Sequence, residues 1–135
     1  MKSFRSSKRC PSLGEECFAR RFQREVGGGA AITTCGLAKP GVQVSVLGVV
    51  GRPDGDWVVS WLKSFGVDRS ALEYHPTEPT GITASVSTRE DRAFFSFYGA
   101  NRPLGSLLDR SDAVARLARF RCVHFACAPD ADRRV

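Results

Sequence analysis

Residues 42–50 restrict the fold more than any other stretch of this sequence. They are rich in β-branched residues and almost wholly apolar, which is the composition of a strand covered on both faces. Such a strand needs layers above and below it and neighbours along its edges. Upstream, residues 30–39 predict a helix, with Ala31, Cys35 and Ala38 near one face and Pro40-Gly41 as the stop. Downstream, Gly51-Arg52-Pro53-Asp54-Gly55 is a turn. A second helix then runs to about Phe65, because Trp57, Val58, Trp61, Leu62 and Phe65 recur at helical spacing. Asp54 or Asp56 is its expected cap, and Gly66 its C′ residue. A tryptophan pair at this spacing reads as core.

Past this helix–strand–helix run, residues 67–79 hold a short apolar segment, Leu72-Glu73-Tyr74, and two prolines. A hairpin follows. Ile82, Ala84 and Val86 alternate with Thr83, Ser85 and Ser87; Arg89-Glu90-Asp91-Arg92 turns the chain; residues 93–98 return with Phe94, Phe95, Phe97 and Tyr98. Gly99-Ala100-Asn101-Arg102-Pro103 breaks the second strand. Residues 109–119 predict a helix with Val114, Leu117 and Ala118 on one side and Ser111 as cap, and residues 122–127 predict another buried strand. Strands alternating with helices imply a parallel sheet flanked by helices, and the hairpin implies an antiparallel excursion from it.

At the head of the first helix stands Gly27-Gly28-Gly29-Ala30-Ala31. Glycines without a Cβ tolerate positive φ and let another group come close. A helix N-terminus behind them presents free N–H groups and the positive end of a dipole, a site for an anion or for hydroxyls. On these residues alone the run is equally a flexible connection. Other chemistry is sparse. There is no G-x-x-x-x-G-K-[ST]; Gly27-Gly28-Gly29 does not satisfy G-x-G-x-x-G, since Ile32 holds the sixth position; no G-x-S-x-G occurs. His124 reads as a core histidine within an apolar strand, and Asp54, Asp56 and Asp91 as turn residues. The sequence offers a ligand cradle and no general base.

Bulk properties bound the remaining classes. The 135 residues suffice for one domain with a core. No apolar run approaches the roughly 18 residues of a membrane span. The net charge of +6 raises nucleic-acid binding, but the arginines are scattered between apolar positions, without an aromatic-interleaved basic stripe, which argues for a solvated basic surface. Cys10, Cys17, Cys35, Cys122 and Cys127 are odd in number and form no C-x-x-C. They read as free thiols in a reducing compartment, and Cys35 and Cys122 as small hydrophobes. With only His75 and His124 beside them, no metal site is expected. Residues 1–10 are basic and serine-rich without an apolar core, so a disordered start is expected rather than a secretory signal.

Taken in order, several segments resemble the PfkB/ribokinase family of sugar and nucleoside kinases. Gly27-Gly28-Gly29-Ala30-Ala31 is similar to the double glycine that opens a helix under the sugar, and Leu37-Ala38-Lys39-Pro40-Gly41 to that helix's close. Val46-Leu47-Gly48-Val49-Val50-Gly51 resembles the family's x-x-G-x-V-G strand. Phe65-Gly66-Val67-Asp68 resembles its G-V-D segment, Thr80-Gly81 its T-G hairpin, and Gly99-Ala100-Asn101 its G-A-N end. The match runs from about Leu13 to Phe125. The resemblance implies a ribokinase-like α/β fold, a mostly parallel sheet flanked by helices with a small β-hairpin lid, over residues 11–135. It implies a cytoplasmic kinase with ATP and Mg²⁺ as cofactors and a sugar or polyol as substrate. Carried over by position, Gly28, Gly29, Thr83 and Asn101 are the expected substrate contacts, and the lid hairpin is a possible homodimer contact.

Departures from the family pattern matter as much. The strand that usually ends in a sugar-holding Asp would fall before Pro11, where residues 1–10 show none. Ile32 stands where a polar Asn is usual, and Arg52 where an acid is usual. The signature D-T-x-G-A-G-D, which supplies the catalytic Asp and the anion hole, is absent from the sequence. The expectation is a truncated, N-terminal portion of a carbohydrate kinase, without a catalytic residue or nucleotide site, inactive and marginally folded alone. The alternative is a non-catalytic sugar-binding or dimerisation module.

Overall fold

The structure is a computed structural model that describes residues 12–16, 18–88, 91–102 and 104–126. The basic start at 1–10, together with Cys17 and Cys127, lies outside the described residues. Contacts divide the chain into two units, one of Met1–Arg24 with Ile82–Phe97 and the other of Glu25–Gly81 with Tyr98–Val135.

The larger unit is built on a strand–helix–strand. Helix α1 (Gly29–Ala38) leads to β1 (Ser45–Gly51), α2 (Gly55–Ser64) and β2 (Asp68–His75). β1 and β2 pair in parallel, with Leu47 opposite Ala71, Val49 opposite Glu73 and Gly51 opposite His75, and with an irregularity between Ser45 and Leu47. Parallel neighbours need a crossover, and α2 supplies it. The core collects Cys35 from α1, Val46 from β1, Leu62 from α2 and Val67, with Ala31, Ala38, Val58, Trp61, Phe65 and Leu72 packed against them. Trp61 lies against Phe65 at 4.7 Å between ring centroids, so this tryptophan is core as expected, whereas Trp57 stays 36% exposed.

Both helices end in the same way. After α2 the amide of Gly66 donates to Lys63 O (2.9 Å) and that of Val67 to Leu62 O (3.3 Å). After α1 the amide of Gly41 donates to Ala38 O (2.9 Å) and that of Val42 to Leu37 O (3.2 Å). These bond pairs are Schellman closures, and they require a left-handed residue, met by Gly66 at φ 74° and Gly41 at φ 90°. At α2 the apolar contact that accompanies such a closure is the buried pair Leu62 and Val67.

Beyond the sheet, Gly99–Asn101 and Leu104–Asp109 are short 3₁₀ helices and α3 spans Ser111–Leu117. Arg110, not Ser111, holds the N-cap position of α3. Its guanidinium joins β2 to α3, donating to Glu73 (2.6 Å) and to Asp112 (2.8 Å).

The smaller unit contains the expected antiparallel hairpin, β3 (Ile82–Ser87) and β4 (Arg92–Phe97). Pairing Ile82 with Phe97, Ala84 with Phe95 and Val86 with Ala93 puts six apolar residues on one face. The opposite face carries Thr83 with Ser96, Ser85 with Phe94 and Ser87 with Arg92. Residues 18–24 form neither helix nor strand.

Four further expectations are corrected. Leu72-Glu73-Tyr74, read only as a short apolar segment, lies within the full strand β2 (Asp68–His75). Residues 122–126 form no strand; they are exposed, Cys122 and His124 with them. An apolar run becomes a strand only where a neighbour satisfies its N–H and C=O groups, and among the described residues none pairs here. Residues 42–44 lie outside the strand: β1 begins at Ser45 and Val42 is 50% exposed, while within β1 Val46 and Val50 are buried and Leu47, Gly48 and Val49 half-buried. Finally, Asp54 is the N-cap residue of α2 by position, but its side chain makes no capping bond.

Candidate functional site

The head of α1 is formed by glycine conformation. Gly28 is the N-cap at φ 88°, a left-handed geometry that favours glycine, and its carbonyl accepts the first helical bond from the amide of Ile32 (3.0 Å). The amides of Gly29, Ala30 and Ala31 thus precede the helix's own ladder and point away from it. Around Gly28 the space is open: an added Cβ meets nothing within 4 Å. Around Gly29 it is not, because a Cβ would lie 3.2 Å from the Cβ of Ala126 and 3.4 Å from its carbonyl oxygen. Segment 122–126 therefore reaches the mouth of the cradle, a contact that sequence order alone does not reveal. Ile32, one turn along, is 61% exposed, leaving an apolar side chain free beside a set of polar N–H groups.

Asn101 closes the 3₁₀ helix Gly99–Asn101 and is exposed. Its side chain lies against Gly81: a Cβ on Gly81 would collide with Asn101 Nδ2 and come within 2.8 Å of Tyr98 O. The amide of Ala100 donates to Pro79 O (2.8 Å). Turn 79–81 is in turn fastened to β1. Thr80 Oγ1 accepts from the amide of Gly51 (2.9 Å) and donates to Asp54 Oδ1 (2.7 Å), and the amide of Thr80 donates to the same oxygen (2.8 Å). The carboxylate expected to cap α2 is thereby committed to Thr80.

Thr83 lies on the hairpin, in the other unit, exposed, with its hydroxyl 2.9 Å from that of Ser96 across the strand pair. Gly28 and Gly29 sit together at the head of α1, and Asn101 belongs to the same unit. Asp54, Thr80 and Gly51 were not legible as a group, since 29 residues separate Gly51 from Thr80; the one available signal was the Thr-Gly pair ahead of the hairpin.

Near the same end of the sheet, the Tyr74 hydroxyl donates to Asp56 (2.6 Å) and the Arg52 guanidinium lies 4.7 Å from the Tyr74 ring centroid. The hydrogen bond to Asp56, with burial adding to it, raises the phenol above its ordinary value of 10.0. Burial raises the Cys35 thiol above 9.0. No grouping of three or more His, Cys, Asp or Glu suited to a metal ion occurs among the described residues.

A parallel strand–helix–strand, a glycine-headed helix and a polar-faced hairpin are the parts of a ribokinase-like α/β kinase fold. Residues 9–133 match the pfkB family of carbohydrate kinases, and the chain belongs to that family. Among solved structures it is similar to ribokinase from Cryptococcus neoformans var. grubii serotype A, determined in complex with ADP. Identity is 28% and the TM-score 0.63, over 70% of this chain and 29% of that one. A nucleoside kinase from Methanocaldococcus jannaschii, an archaeal member of the ribokinase family, is 24% identical with a TM-score of 0.66, over 73% of this chain and 34% of that one. The Burkholderia thailandensis nucleoside kinase in complex with inosine shares the fold at 19% identity and a TM-score of 0.58, over 66% and 30%. The chain thus spans about a third of the length of these relatives. No curated protein sequence matches it significantly.

Proposed function

We propose that this chain forms part of the sugar-binding half of a carbohydrate kinase, and that the head of α1 receives hydroxyl groups of a sugar or polyol. One observation carries the reading: Gly28 at φ 88° opens the helix, so the amides of Gly29, Ala30 and Ala31 face outward with nothing crowding Gly28. Backbone N–H groups at a helix N-terminus bind electronegative atoms without help from a side chain. Asn101, in the same unit, is the proposed side-chain contact to that substrate; Thr83, on the hairpin of the other unit, is proposed as a substrate contact on the family resemblance alone. Exposed Ile32 disfavours a further polar contact and selects a ligand with an apolar edge at that position.

Phosphoryl transfer is positioning and electrostatic stabilisation of the moving group. The sequence does not contain D-T-x-G-A-G-D, the motif that the family resemblance ties to the base and the anion hole, and this supports binding rather than transfer. Full-length relatives would use ATP with Mg²⁺; this chain by itself is assigned binding without turnover. Titrating the isotopically labelled chain with ribose, fructose and inosine, while recording amide resonances, should move Gly29, Ala30 and Ala31. Unmoved resonances at millimolar ligand would refute the cradle. In a coupled assay with ATP, Mg²⁺ and the same panel, phosphorylation should stay at background.

A second reading has its own observation. The hairpin face of Ile82, Ala84, Val86, Ala93, Phe95 and Phe97 leaves Phe95 70% and Ile82 61% exposed, and a contiguous apolar patch marks a contact surface. Homodimerisation through this face predicts a twofold mass in light scattering that Phe95→Asp abolishes.

A further inference from the structure

The Thr-Gly pair ahead of the hairpin holds more hydrogen bonds than a turn requires. Thr80 uses its hydroxyl in both directions, donating to Asp54 Oδ1 (2.7 Å) and accepting from the Gly51 amide (2.9 Å), while its own amide also donates to Asp54 Oδ1 (2.8 Å). Three bonds on two side chains fix one rotamer of Thr80 and one placement of the turn. The turn lies so close to the end of β1 that a Cβ on Gly51 would collide with Thr80 N, Pro79 C and Glu78 O. From that fixed turn, Pro79 O receives the Ala100 amide at 2.8 Å, and Gly81 leaves the space that the Asn101 side chain fills. The contacts therefore run without a gap from Asp54, at the head of α2, through Thr80 to Asn101.

We propose that Asp54 and Thr80 are positioning residues that set the placement of Asn101, and with it the polar contact that the kinase half offers its substrate. Neither needs to touch the ligand. This rests on the reading of Asn101 as a substrate contact, but the mechanical claim stands apart from it. Two of the three bonds run through the Thr80 hydroxyl, so removing it cuts the turn from the Gly51 amide and leaves it on Asp54 by the Thr80 amide alone. The Ala100 amide reports the seating of the 3₁₀ helix on the turn, and the Gly51 amide reports the clamp itself.

The test compares amide hydrogen exchange in the full chain and in Thr80→Val, Thr80→Ser and Asp54→Asn. Thr80→Val should speed exchange at both Gly51 and Ala100 by about tenfold, the scale of a lost hydrogen bond. Thr80→Ser keeps the hydroxyl and should restore both amides to the parent rate. Asp54→Asn keeps an acceptor of the same shape but loses charge assistance, and should fall between. Acceleration at Gly51 with Ala100 unchanged would overturn the proposal, since the clamp would then end at the turn. If Thr80→Val unfolds, the same two amides in Asp54→Asn decide the matter: both accelerated supports it, Gly51 alone or neither overturns it. Titrating each variant with ribose and inosine separates the two readings. Coupled amides without any ligand-dependent shift in the parent refute the assignment of Asn101 and leave the clamp standing. A parent that binds and a Thr80→Val variant that binds equally well, with Ala100 loosened, shows that the placement of Asn101 does not serve substrate.

Discussion

At the scale of single residues, glycine does different work at different places. Gly66 is left-handed at φ 74° with nothing within 4 Å of an added Cβ, so Gly66→Ala meets no neighbour and its cost is conformational. That substitution should lower unfolding free energy by about 1 kcal/mol. Gly36, inside α1 and equally uncrowded, has no positive φ, and Gly36→Ala should raise stability by about 0.5–1 kcal/mol. Urea denaturation of the two variants, expected to move in opposite directions, checks both. Thiol chemistry divides in the same residue-by-residue way. Cys35 is 4% exposed and its pKa is raised by burial, while Cys122 is exposed. Iodoacetamide near neutral pH, followed by peptide mass spectrometry, should label Cys122 and reach Cys35 only after urea is added. The sequence marked both as small hydrophobes, and it was right only where a core exists to receive the thiol. Gly28, Gly29, Thr83 and Asn101 are proposed on motif order, which is written in the chain. It could not show Ala126 beside Gly29, which depends on how the last segment returns.

At the scale of elements, the ties between neighbours decide what periodicity leaves open. The helices α1 and α2 and the β3–β4 hairpin were legible because their side-chain patterns and stop signals are local. β2 was not, for it has few apolar residues and owes its shape to a ladder with β1; a strand was owed there only by the logic that a helix after a buried strand returns the chain to the sheet. Conversely, residues 122–126 have a strand's composition but no pairing partner among the described residues. Tyr74 shows how β2 is held from the side: its hydroxyl donates to Asp56 of α2. A phenol whose folded pKa lies above the unfolded value of 10.0 contributes stability that is fully present below pH 10 and lost as pH rises through the folded value. The parent chain should therefore lose stability on that alkaline limb. Tyr74→Phe should cost about 0.5 kcal/mol at neutral pH, since the bond is solvent-exposed, and should flatten that limb in thermal melts recorded from pH 8 to 11.

At the scale of the whole molecule, the chain divides where its chemistry divides. The larger unit holds the glycine-headed helix and Asn101, and the smaller holds Thr83 and an apolar face without a cover within its own two strands. The contact at Gly81, described above as room for Asn101, also brings together the points at which the chain leaves and rejoins the larger unit, since Tyr98 O lies 2.8 Å from the Cβ position on Gly81. A segment whose two ends meet is an insertion in the architectural sense, and insertions at such points are exchangeable. Residues 82–97 should be removable and closed with two glycines. The shortened chain should keep the helical circular dichroism signal and the melting temperature of the larger unit to within a few degrees. The same seam would accept a different hairpin without redesign of the sheet against which α1 packs.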